Sequence, residues 1–308
     1  MRSALLELHL ANLLLSMTLL FTRFIDWPVP VLICARALLG AAGLWFYLKV
    51  MGWRSGSRQA EPDGETEAAS APTKATSSEA TKGRMLFWLI LSGMLLAAHW
   101  MTFFQAGRLS TIALAMVAMY TYPLMTALVE PFLEGRVDFR RSGVDVALAA
   151  LATAGIAIIG LSAASLDRMG LLFGLISAAL LTARNLIIRR RLHTQNGSRI
   201  MMIQLTAAGA LLLPALVFMP FSVKPGDALN LILLGLVFTA FSHTLLVRAI
   251  LRMSARTASI IASIQPVYSA IFAFLILKES PTLATALGGS IVVLCAILES
   301  ARQKHREA

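Results

Sequence analysis

Residues 105–123 read QAGRLSTIALAMVAMYTYP, and residues 248–266 read RAILRMSARTASIIASIQP. At a constant offset of 143 positions the two stretches share three matched pairs, Ala106 with Ala249, Ala115 with Ala258, and Pro123 with Pro266. Both stretches are rich in small apolar residues and end in a proline. Self-similarity at a fixed distance indicates an internal repeat, so these two stretches are interpreted as the same part of two copies of one unit.

The correspondence continues on both sides of these stretches with changes of offset. The downstream pairs at an offset of 145 are Glu134 with Glu279 and Gly143 with Gly288, the upstream pair at an offset of 173 is Asn12 with Asn185, and His99 falls one position from His243. The change from 143 to 173 is about the length of a polar segment at 52–84. That segment is therefore interpreted as an insertion in the first of two duplicated halves.

The composition is typical of an integral membrane protein. The 308-residue chain is 57% apolar and only 14% charged, whereas soluble domains are about 45–50% apolar and about 25% charged. The apolar residues form blocks of about twenty, the length that a helix needs to cross a hydrocarbon layer of about 30 Å. The blocks predict ten transmembrane helices at 4–22, 29–50, 85–105, 111–133, 143–162, 170–188, 200–221, 228–247, 255–277 and 282–299. This pattern excludes a soluble globular domain, a disordered chain and a disulfide scaffold.

Lysine and arginine are distributed unevenly between the loops on the two sides of the membrane. With the N-terminus in the cytoplasm, 20 basic residues fall in cytoplasmic segments and 5 in external ones. Cytoplasmic loops of membrane proteins carry such an excess. The sequence therefore predicts that both termini are cytoplasmic. The net charge of +11 is assigned to membrane orientation, and no nucleic-acid partner is expected.

The insertion interrupts the first half of the chain. Its residues are mainly Ala, Ser, Thr, Glu, Gly and Pro, which cannot bury enough apolar surface to offset the entropy of ordering. It is predicted to be a disordered cytoplasmic linker. The predicted organisation is 1–50 for helices 1 and 2, 51–84 for the linker, 85–165 for helices 3 to 5, 166–301 for helices 6 to 10, and 302–308 for a cytoplasmic tail.

Each half contains five predicted spans, which is an odd number. The second half must then cross the membrane in the opposite direction to the first. Inverted repeats of this kind are typical of secondary transporters, whose substrate site lies near the midplane where the repeats meet. The predicted fold class is an all-α integral membrane protein with ten transmembrane helices arranged as two inverted five-helix repeats.

Three local patterns extend this prediction. They are CARALLGAAGL at 34–44, HWMTFFQAGRLSTIALAMV leading into YTYPLMTALVEPFLEGR at 99–136, and MSARTASIIASIQPVYSAIFAFLILKESPT followed by LGGSIVVLCAIL within 253–298. With its ten spans and its duplication, the chain resembles the EamA-type members of the drug/metabolite transporter superfamily, over nearly all of its length except 52–84. The family has a proline in the fourth and ninth spans followed by a glutamate about a dozen residues later, and the matching pairs here are Pro123 with Glu134 and Pro266 with Glu279. The first span departs from the family because it reads LLLSMTLLFTRF and lacks a Trp-Gly pair.

The resemblance implies a secondary transporter, an exporter or exchanger, that moves small metabolites such as amino acids through a central cavity by alternating access. It implies a multi-pass protein of a bacterial inner membrane. The expected partners are a small-molecule substrate and the lipid bilayer, and a homodimer stays an open alternative. No enzyme activity, cofactor or metal site is expected. Two rivals remain at this point, an intramembrane lipid-modifying enzyme and a channel or scaffold without carrier activity.

Polar side chains inside the predicted spans are the candidates for a substrate site, because each is costly in hydrocarbon. They concentrate in spans 1, 3, 4, 6, 8 and 9, which surround the central cavity in the family. The residues predicted to bind substrate or line the cavity are Asn12, His99, Trp100, Phe103, Tyr122, Glu130, Asn185, His243, Gln265 and Tyr268.

Glu130 is the most specific of these candidates, since it places a carboxylate inside the fourth span. One hypothesis is that it binds a substrate amine or carries a coupling proton. The alternatives are a structural ion pair with Arg36 or Arg184, or a position near the lipid headgroups. The residues themselves leave these alternatives open.

Two pairs of repeat mates have a functional and a structural interpretation each. His99 and His243 are hypothesised to face the cavity from opposite halves, and the alternative is a hydrogen bond between helices. Pro123 and Pro266 remove backbone hydrogen bonds in mid-span and are predicted to act as hinges. The alternative for the prolines is a fixed packing geometry. For Asn12 and Asn185, substrate binding and helix contact stay equally open.

Overall fold

A computed structural model of the chain describes residues 2–18, 21–56, 73–110, 112–134, 139–160, 168–278 and 282–307. Within these ranges the backbone is helical apart from short turns and loops, and it contains no strand. Seven of the described helices are long and apolar enough to cross a membrane by their length and composition. The all-helical membrane architecture predicted from the composition is confirmed.

Helical segments are present at all ten predicted spans. They are α1 (Arg2–Ser16), α2 (Val29–Gly56), α3 (Thr73–Leu109), α4a (Ile112–Met119) with α4b (Tyr122–Glu134), α5 (Phe139–Gly160), α6 (Arg168–Arg191), α7 (Gly197–Phe218), α8 (Asp227–Arg252), α9a (Ala255–Ala262) with α9b (Gln265–Phe272), and α10 (Leu283–Glu307). A four-residue helix, Phe21–Phe24, lies between α1 and α2. Two stretches have the wider π-helical turn, Leu233–Phe241 within α8 and Ala273–Leu277 after α9b.

The first helix is shorter than the apolar run that predicted it. It ends at Ser16, whereas the run continues to residue 22. The Ser16 hydroxyl donates to the Leu13 carbonyl at 2.6 Å, and the Met17 N–H bonds the Leu14 carbonyl at 3.1 Å. These bonds satisfy carbonyls that a helix end leaves without a partner.

The polar insertion differs in part from its prediction as a linker. The backbone is helical as far as Gly56 in α2 and again from Thr73 in α3, and residues 57–72 lie outside the described ranges. The stretch TKATSSEATKGR at 73–84 contains Ala, Lys and Glu, which have high helix propensity. Because it directly precedes a strongly apolar helix, it extends that helix instead of forming a loop.

Contacts between helix ends fix the directions of the helices. Glu7 near the start of α1 contacts Arg248 near the end of α8 at 2.9 Å, and Asp145 near the start of α5 contacts Arg302 near the end of α10 at 3.0 Å. At the other end of the bundle, the Trp27 indole after α1 donates to the Ser222 carbonyl before α8 at 2.9 Å. Both described chain ends therefore lie at one end of the bundle, named the terminal end here, and the other is named the opposite end.

The helices pack in a regular set of pairs. The main pairs are α3 with α6, α2 with α7, α5 with α10, α3 with α7, α1 with α8 and α2 with α8, and α4b also packs on α9a. Replacing each helix by the one five positions away turns the α3–α6 pair into the α8–α1 pair. The same replacement turns the α3–α7 pair into the α8–α2 pair and leaves the α2–α7 and α5–α10 pairs unchanged. The α4b–α9a pair has no counterpart of similar packing between α4a and α9b in the described ranges.

Glycines allow two of these helix contacts to be very close. A Cβ placed on Gly93 of α3 would lie 2.7 Å from the Gln204 carbonyl oxygen in α7, and one on Gly155 of α5 would lie 2.8 Å from the Gly288 carbonyl oxygen in α10. Small residues at such positions let helix backbones approach in a membrane. The close contact at Gly93 brings α7 close enough for Gln204 to reach the middle of the bundle.

The distribution of polarity is the reverse of that in a soluble protein. Large apolar side chains cover the outer surface, for example Trp45 at 55%, Phe132 at 76% and Phe218 at 81% exposure. In contrast, Arg36 and Arg184 are 1% and 0% exposed. An extensive apolar exterior requires lipid contact or a partner, as expected of a multi-pass membrane protein.

Candidate functional site

A cavity of about 100 Å³ lies in the middle of the bundle, where α1, α2, α3, α4, α6, α8 and α9 meet. Its lining consists of Leu15, Ser16, Thr18, Arg36, Leu96, His99, Trp100, Phe103, Phe104, Met116, Met119, Tyr120, Tyr122, Leu181, Arg184, Asn185, His243, Leu246, Gln265 and Ser269. The lining combines an aromatic wall with amides, imidazoles and two guanidinium groups. Such a mixture of apolar walls and few polar groups is typical of a small-molecule site.

Two of the helices that form the cavity are interrupted beside it. The helix break in α4 lies at Tyr120 and Thr121, and the break in α9 lies at Ser263 and Ile264. Each break directly precedes a half-helix whose second residue is a proline, Pro123 in α4b and Pro266 in α9b. Proline lacks an N–H and disfavours helical geometry in the residue before it, so the two prolines account for helix breaks at corresponding places in α4 and α9.

A hydrogen-bonded amide connects the two breaks. The Tyr120 hydroxyl donates to Gln265 Oε1 at 3.0 Å, and Gln265 Nε2 donates to Asn12 Oδ1 at 2.9 Å. Nearby, the Ser269 hydroxyl donates to the Ser16 carbonyl at 2.9 Å. Gln265 therefore joins α1, α4 and α9 on one side of the cavity.

Arg184 is held by neutral partners. Its Nη2 and Nε donate to Gln204 Oε1 at 2.7 and 3.2 Å, and its Nη1 donates to Asn185 Oδ1 at 3.2 Å. Gln204 in turn donates from Nε2 to the Ser92 hydroxyl at 2.8 Å. Three helices thus fix the guanidinium in one orientation, and none of these bonds neutralises its charge.

Arg36 contacts aromatic rings. Its guanidinium carbon lies 4.0 Å from the centre of the Trp100 ring and 5.9 Å from the centre of the Phe104 ring. Its Nε is buried, and no hydrogen-bond partner for it occurs within the described ranges. A cation over an aromatic face is stabilised by the ring quadrupole, but this contact also leaves the charge uncompensated.

The two histidines lie in the same cavity and use the same nitrogen to contact the backbone. His99 Nδ1 lies 3.1 Å from the Ser177 carbonyl and 2.8 Å from the Ser177 hydroxyl. His243 Nδ1 lies 3.1 Å from the Thr239 carbonyl. A carbonyl can only accept, so the contact at His243 is a hydrogen bond in the tautomer with the proton on Nδ1, which leaves Nε2 as an acceptor. At His99 the Ser177 hydroxyl can donate to Nδ1 or accept from it. The His243 ring also packs edge-to-face on Trp100, with centroids 5.4 Å apart.

The structure brings together most of the residues predicted to line a cavity. Seven of the ten are in its lining, namely His99, Trp100, Phe103, Tyr122, Asn185, His243 and Gln265. Asn12 lies behind the lining and holds Gln265. Tyr268 is not among the lining residues, because Ser269, four positions after Gln265, shares the cavity-facing side of α9b with it.

Glu130 also lies outside the cavity lining, in contrast to its prediction as a cavity residue. Its two carboxylate oxygens accept from the backbone N–H groups of Ala255 and Arg256 at 2.9 and 2.8 Å. An anion at a helix N-terminus satisfies backbone donors and complements the helix dipole. Glu130 sits two turns beyond the break in α4, which carries it towards the terminal end and away from Arg36 and Arg184, its expected partners.

Glu130 belongs to a group of buried and half-buried charges at the terminal end, named the charged cluster here and composed of Glu130, Asp145, Arg256, Glu299 and Arg302. Arg256 Nε lies 3.0 Å from Asp145 Oδ2 and 3.9 Å from Glu130 Oε2. Arg302 contacts Asp145 at 3.0 Å and Glu299 at 2.7 Å. The charged cluster joins α4b, α5, α9a and α10 in one set of ion pairs.

Solvent exposure of the lining differs between the two ends of the cavity. The lining residues on the side of the terminal end are buried, with Arg184 at 0%, Asn185 at 3% and His243 at 7% exposure. Half-buried lining residues such as Leu15 and Phe103 lie nearer the opposite end. The cavity is therefore more accessible from the opposite end.

Sequence reasoning missed Arg36, Arg184 and Tyr120 as members of the lining. In the sequence, Arg36 and Arg184 enter only as alternative ion-pair partners for Glu130. Their signal is present there, since an intramembrane charge marks a functional site by default. Their separation from the acidic residues of the described ranges follows only from the packing of the helices.

The fold and the cavity define a multi-pass α-helical membrane protein with a polar central site. Residues 168–300 match the model of the EamA-like transporter family, which supports the resemblance to the EamA-type members of the drug/metabolite transporter superfamily over that part of the chain. A solved structure titled "Crystal structure of protein" is 21% identical, with a TM-score of 0.73 over 97% of this chain and 98% of that chain. At that identity the likeness shows the fold alone. No curated protein matches this chain.

Proposed function

We propose that the chain is a secondary transporter, an exporter or exchanger, that moves a small metabolite by alternating access through the central cavity. The observation that carries this proposal is the cavity itself, which is lined by helices from both halves of the chain. A site at the meeting point of two repeats is the usual arrangement in secondary transporters. The family match over residues 168–300 is consistent with it.

The proposal includes two inverted five-helix repeats. It is supported by the helix pairs, which are preserved when each helix is replaced by the one five positions away. The breaks before Pro123 and Pro266 are further support, since they occupy equivalent places in α4 and α9. A bundle built from two such copies has an approximate twofold relation, and this relation makes two alternative tilts of nearly equal energy available.

The proposed alternating access assigns opposite roles to the two ends of the bundle. The charged cluster and the contacts of Glu7 with Arg248 and Arg252 close the terminal end. The lining is more exposed towards the opposite end. In this proposal the structure corresponds to a state open towards the opposite end, and transport requires these ion pairs to separate.

The proposed location is a bacterial inner membrane with both termini in the cytoplasm. Support comes from the distribution of basic residues, of which 20 lie on the side assigned to the cytoplasm. The opposite end is then external. In this state a substrate would exchange between the cavity and the outside of the cell.

Counterflow in proteoliposomes tests the proposal, using the full chain and a cavity-blocking variant. Leu15 lines the accessible side of the cavity, so Leu15→Trp is expected to occlude it. Leu13→Trp is the matched control, because Leu13 lies on the same helix with 38% exposure on an outward face. A carrier gives saturable counterflow that Leu15→Trp abolishes and Leu13→Trp retains.

Other results would contradict the proposal in recognisable ways. Flux that does not saturate and shows no counterflow indicates a channel. Loss of counterflow in both tryptophan variants, with both still folded, indicates that the cavity is not the route. Absence of any solute movement across a broad metabolite panel indicates a scaffold.

A further inference from the structure

The central cavity contains two positive charges and no described negative charge. Arg36 and Arg184 both line it and are 1% and 0% exposed. Among the residues that the structure describes, no aspartate or glutamate belongs to the lining. The partners of Arg184 are two amides and a thioether, and those of Arg36 are aromatic rings.

The buried acidic residues of the described ranges are engaged elsewhere. Their contacts are Glu7 with Arg248 and Arg252, Glu130 and Asp145 with Arg256, Glu299 with Arg302 and Thr257, and Asp227 with the Trp27 indole. Each of these groups lies at one of the two ends of the bundle. None is positioned to neutralise the cavity arginines in this state.

An uncompensated guanidinium in a membrane interior is unfavourable, because removing an ion from water is costly unless an opposite charge replaces the solvent. A planar guanidinium matches carboxylate, phosphate and sulfonate groups, which accept two parallel hydrogen bonds. We therefore propose that the transported substrate is a small organic anion whose charged group binds Arg36 beside Arg184. That the anion is transported rests on the proposed function. That the cavity binds an anion does not.

The two arginines have different roles in the proposed site. Arg184 has its donors directed at Gln204 and Asn185, so it acts as a fixed positive charge. Arg36 has a buried Nε with no hydrogen-bond partner in the described part of the chain, so it has a donor available for the ligand. Arg36 is therefore the direct binding residue, and Arg184 contributes through its field.

The rest of the lining specifies the body of the anion. Trp100, Phe103, Phe104 and Tyr122 supply aromatic surface, which favours an apolar or aromatic body. A substrate ammonium group would find imidazole nitrogen, amide and hydroxyl acceptors, but no described carboxylate. The site is thus expected to prefer an anion over a cation of the same shape, and a simple carboxylate over the matching zwitterion.

Four probes with one phenylpropyl skeleton test this order. They are hydrocinnamate as the anion, hydrocinnamyl alcohol as the neutral form, phenylpropylamine as the cation and phenylalanine as the zwitterion. Binding to the purified full chain is measured by calorimetry and by intrinsic tryptophan fluorescence, to which Trp100 in the lining contributes. Hydrocinnamate is expected to bind about tenfold or more tightly than the alcohol, as for a charged hydrogen bond, and phenylpropylamine the least.

Variants then assign the preference to Arg36. Arg36→Gln is expected to weaken hydrocinnamate binding about tenfold or more and to change alcohol binding by less than about twofold. Arg36→Lys keeps the charge without the planar fork and is expected to retain part of the preference. Arg199→Gln is the matched control, since Arg199 is an exposed arginine at the start of α7 and its loss should leave all four affinities unchanged.

The ratio of anion to alcohol affinity is the deciding measurement, because a purely structural role would not move it. An equal loss for both probes in Arg36→Gln shows that Arg36 only supports Trp100, and this overturns the proposal. A wild-type preference for phenylpropylamine overturns it as well, without any variant having to fold. If Arg36→Gln does not fold, the wild-type order and Arg36→Lys decide the outcome.

Failure of this inference is distinguishable from failure of the proposed function. Counterflow of the amine or the alcohol, with no binding of hydrocinnamate, leaves a transporter and removes the anion preference. Binding of hydrocinnamate that depends on Arg36, with no flux of any probe, supports the anion site and removes the carrier.

Discussion

The charged cluster at the terminal end and the central cavity each contain two arginines, in opposite electrostatic settings. In the charged cluster, Arg256 and Arg302 each lie within 3.0 Å of an Asp145 oxygen. In the cavity, Arg36 and Arg184 contact rings, amides and a thioether. The arginines of the charged cluster are therefore neutralised by acidic residues of the chain. Those of the cavity are not, so an added anion can bind there.

This difference between the two sets of arginines predicts that mutations in the charged cluster affect mainly stability and mutations in the cavity affect mainly ligand binding. Ion pairs within the chain satisfy each other, so their loss is expected to appear mainly in the free energy of unfolding. The cavity arginines have no acidic partner among the described residues, so the loss of Arg36, which lacks hydrogen bonds from the described chain at Nε, is expected to appear mainly in ligand affinity. The following changes test this division in order of decreasing effect.

Arg256→Gln is expected to have the largest effect on stability. It leaves the carboxylates of Glu130 and Asp145 without the guanidinium that lies between them. Breaking a buried pair by removing one partner costs about 3–5 kcal/mol. The measurement is the free energy of unfolding by denaturant in mild detergent. A loss below about 1 kcal/mol, which is the range of surface pairs, would contradict a closed set of buried charges.

Gln204→Leu is expected to be second, because Gln204 Oε1 accepts two bonds from Arg184. Removing an acceptor from a buried charged donor costs about 1.5–3 kcal/mol. Ser92→Ala is the graded comparison, since it removes only the partner of Gln204 Nε2 and should cost about 1 kcal/mol. Equal losses in the two variants would show that the orientation of Arg184 does not depend on Gln204.

Glu130→Gln is expected to be third, at about 1 kcal/mol. The amide oxygen of glutamine can still accept from one of the two backbone N–H groups at the start of α9a, but the charge that complements the helix dipole is lost. Uptake in vesicles and its pH profile should persist. Abolition of uptake in a folded variant would restore the hypothesis that Glu130 binds substrate or carries a proton.

Lys224→Ala is expected to have the smallest effect. Lys224 contacts Asp26 at 3.5 Å at the opposite end, with side-chain exposures of 59% and 91%. Exposed pairs contribute at most about 1 kcal/mol and often nothing measurable. The unfolding free energy should change by less than about 0.5 kcal/mol. A change as large as that of Arg256→Gln would show that exposure does not separate the two kinds of ion pair.

Much of the fold was predictable because a membrane imposes a length on each apolar helix. The ten apolar runs located ten helical segments, and Pro123 and Pro266 marked the two interrupted ones. The ends were less predictable. Apolar content does not register that Ser16 ends α1, or that a polar stretch from Thr73 extends α3.

The cavity lining was predictable where the polarity of a residue decided its position. His99, Asn185, His243 and Gln265 are costly in lipid, and they line the cavity. Glu130 shows the limit of this reasoning. Its carboxylate is also costly in lipid, but it is satisfied by a backbone N–H of another helix, 125 positions further along the chain. Whether a buried charge has a partner depends on how far along the bundle axis its residue lies relative to the neighbouring helices. The sequence of a single span does not determine that position.

The hydrogen bond from Tyr120 to Gln265 joins the breaks in α4 and α9 across the middle of the bundle. A bend at either break displaces one end of this bond, so the two half-helices cannot change tilt independently without losing it. In the proposed alternating access, this bond would couple the movements of the two half-helices. Coupled movements would guard against a leak, because the proposed pathway would then open to one side of the membrane at a time.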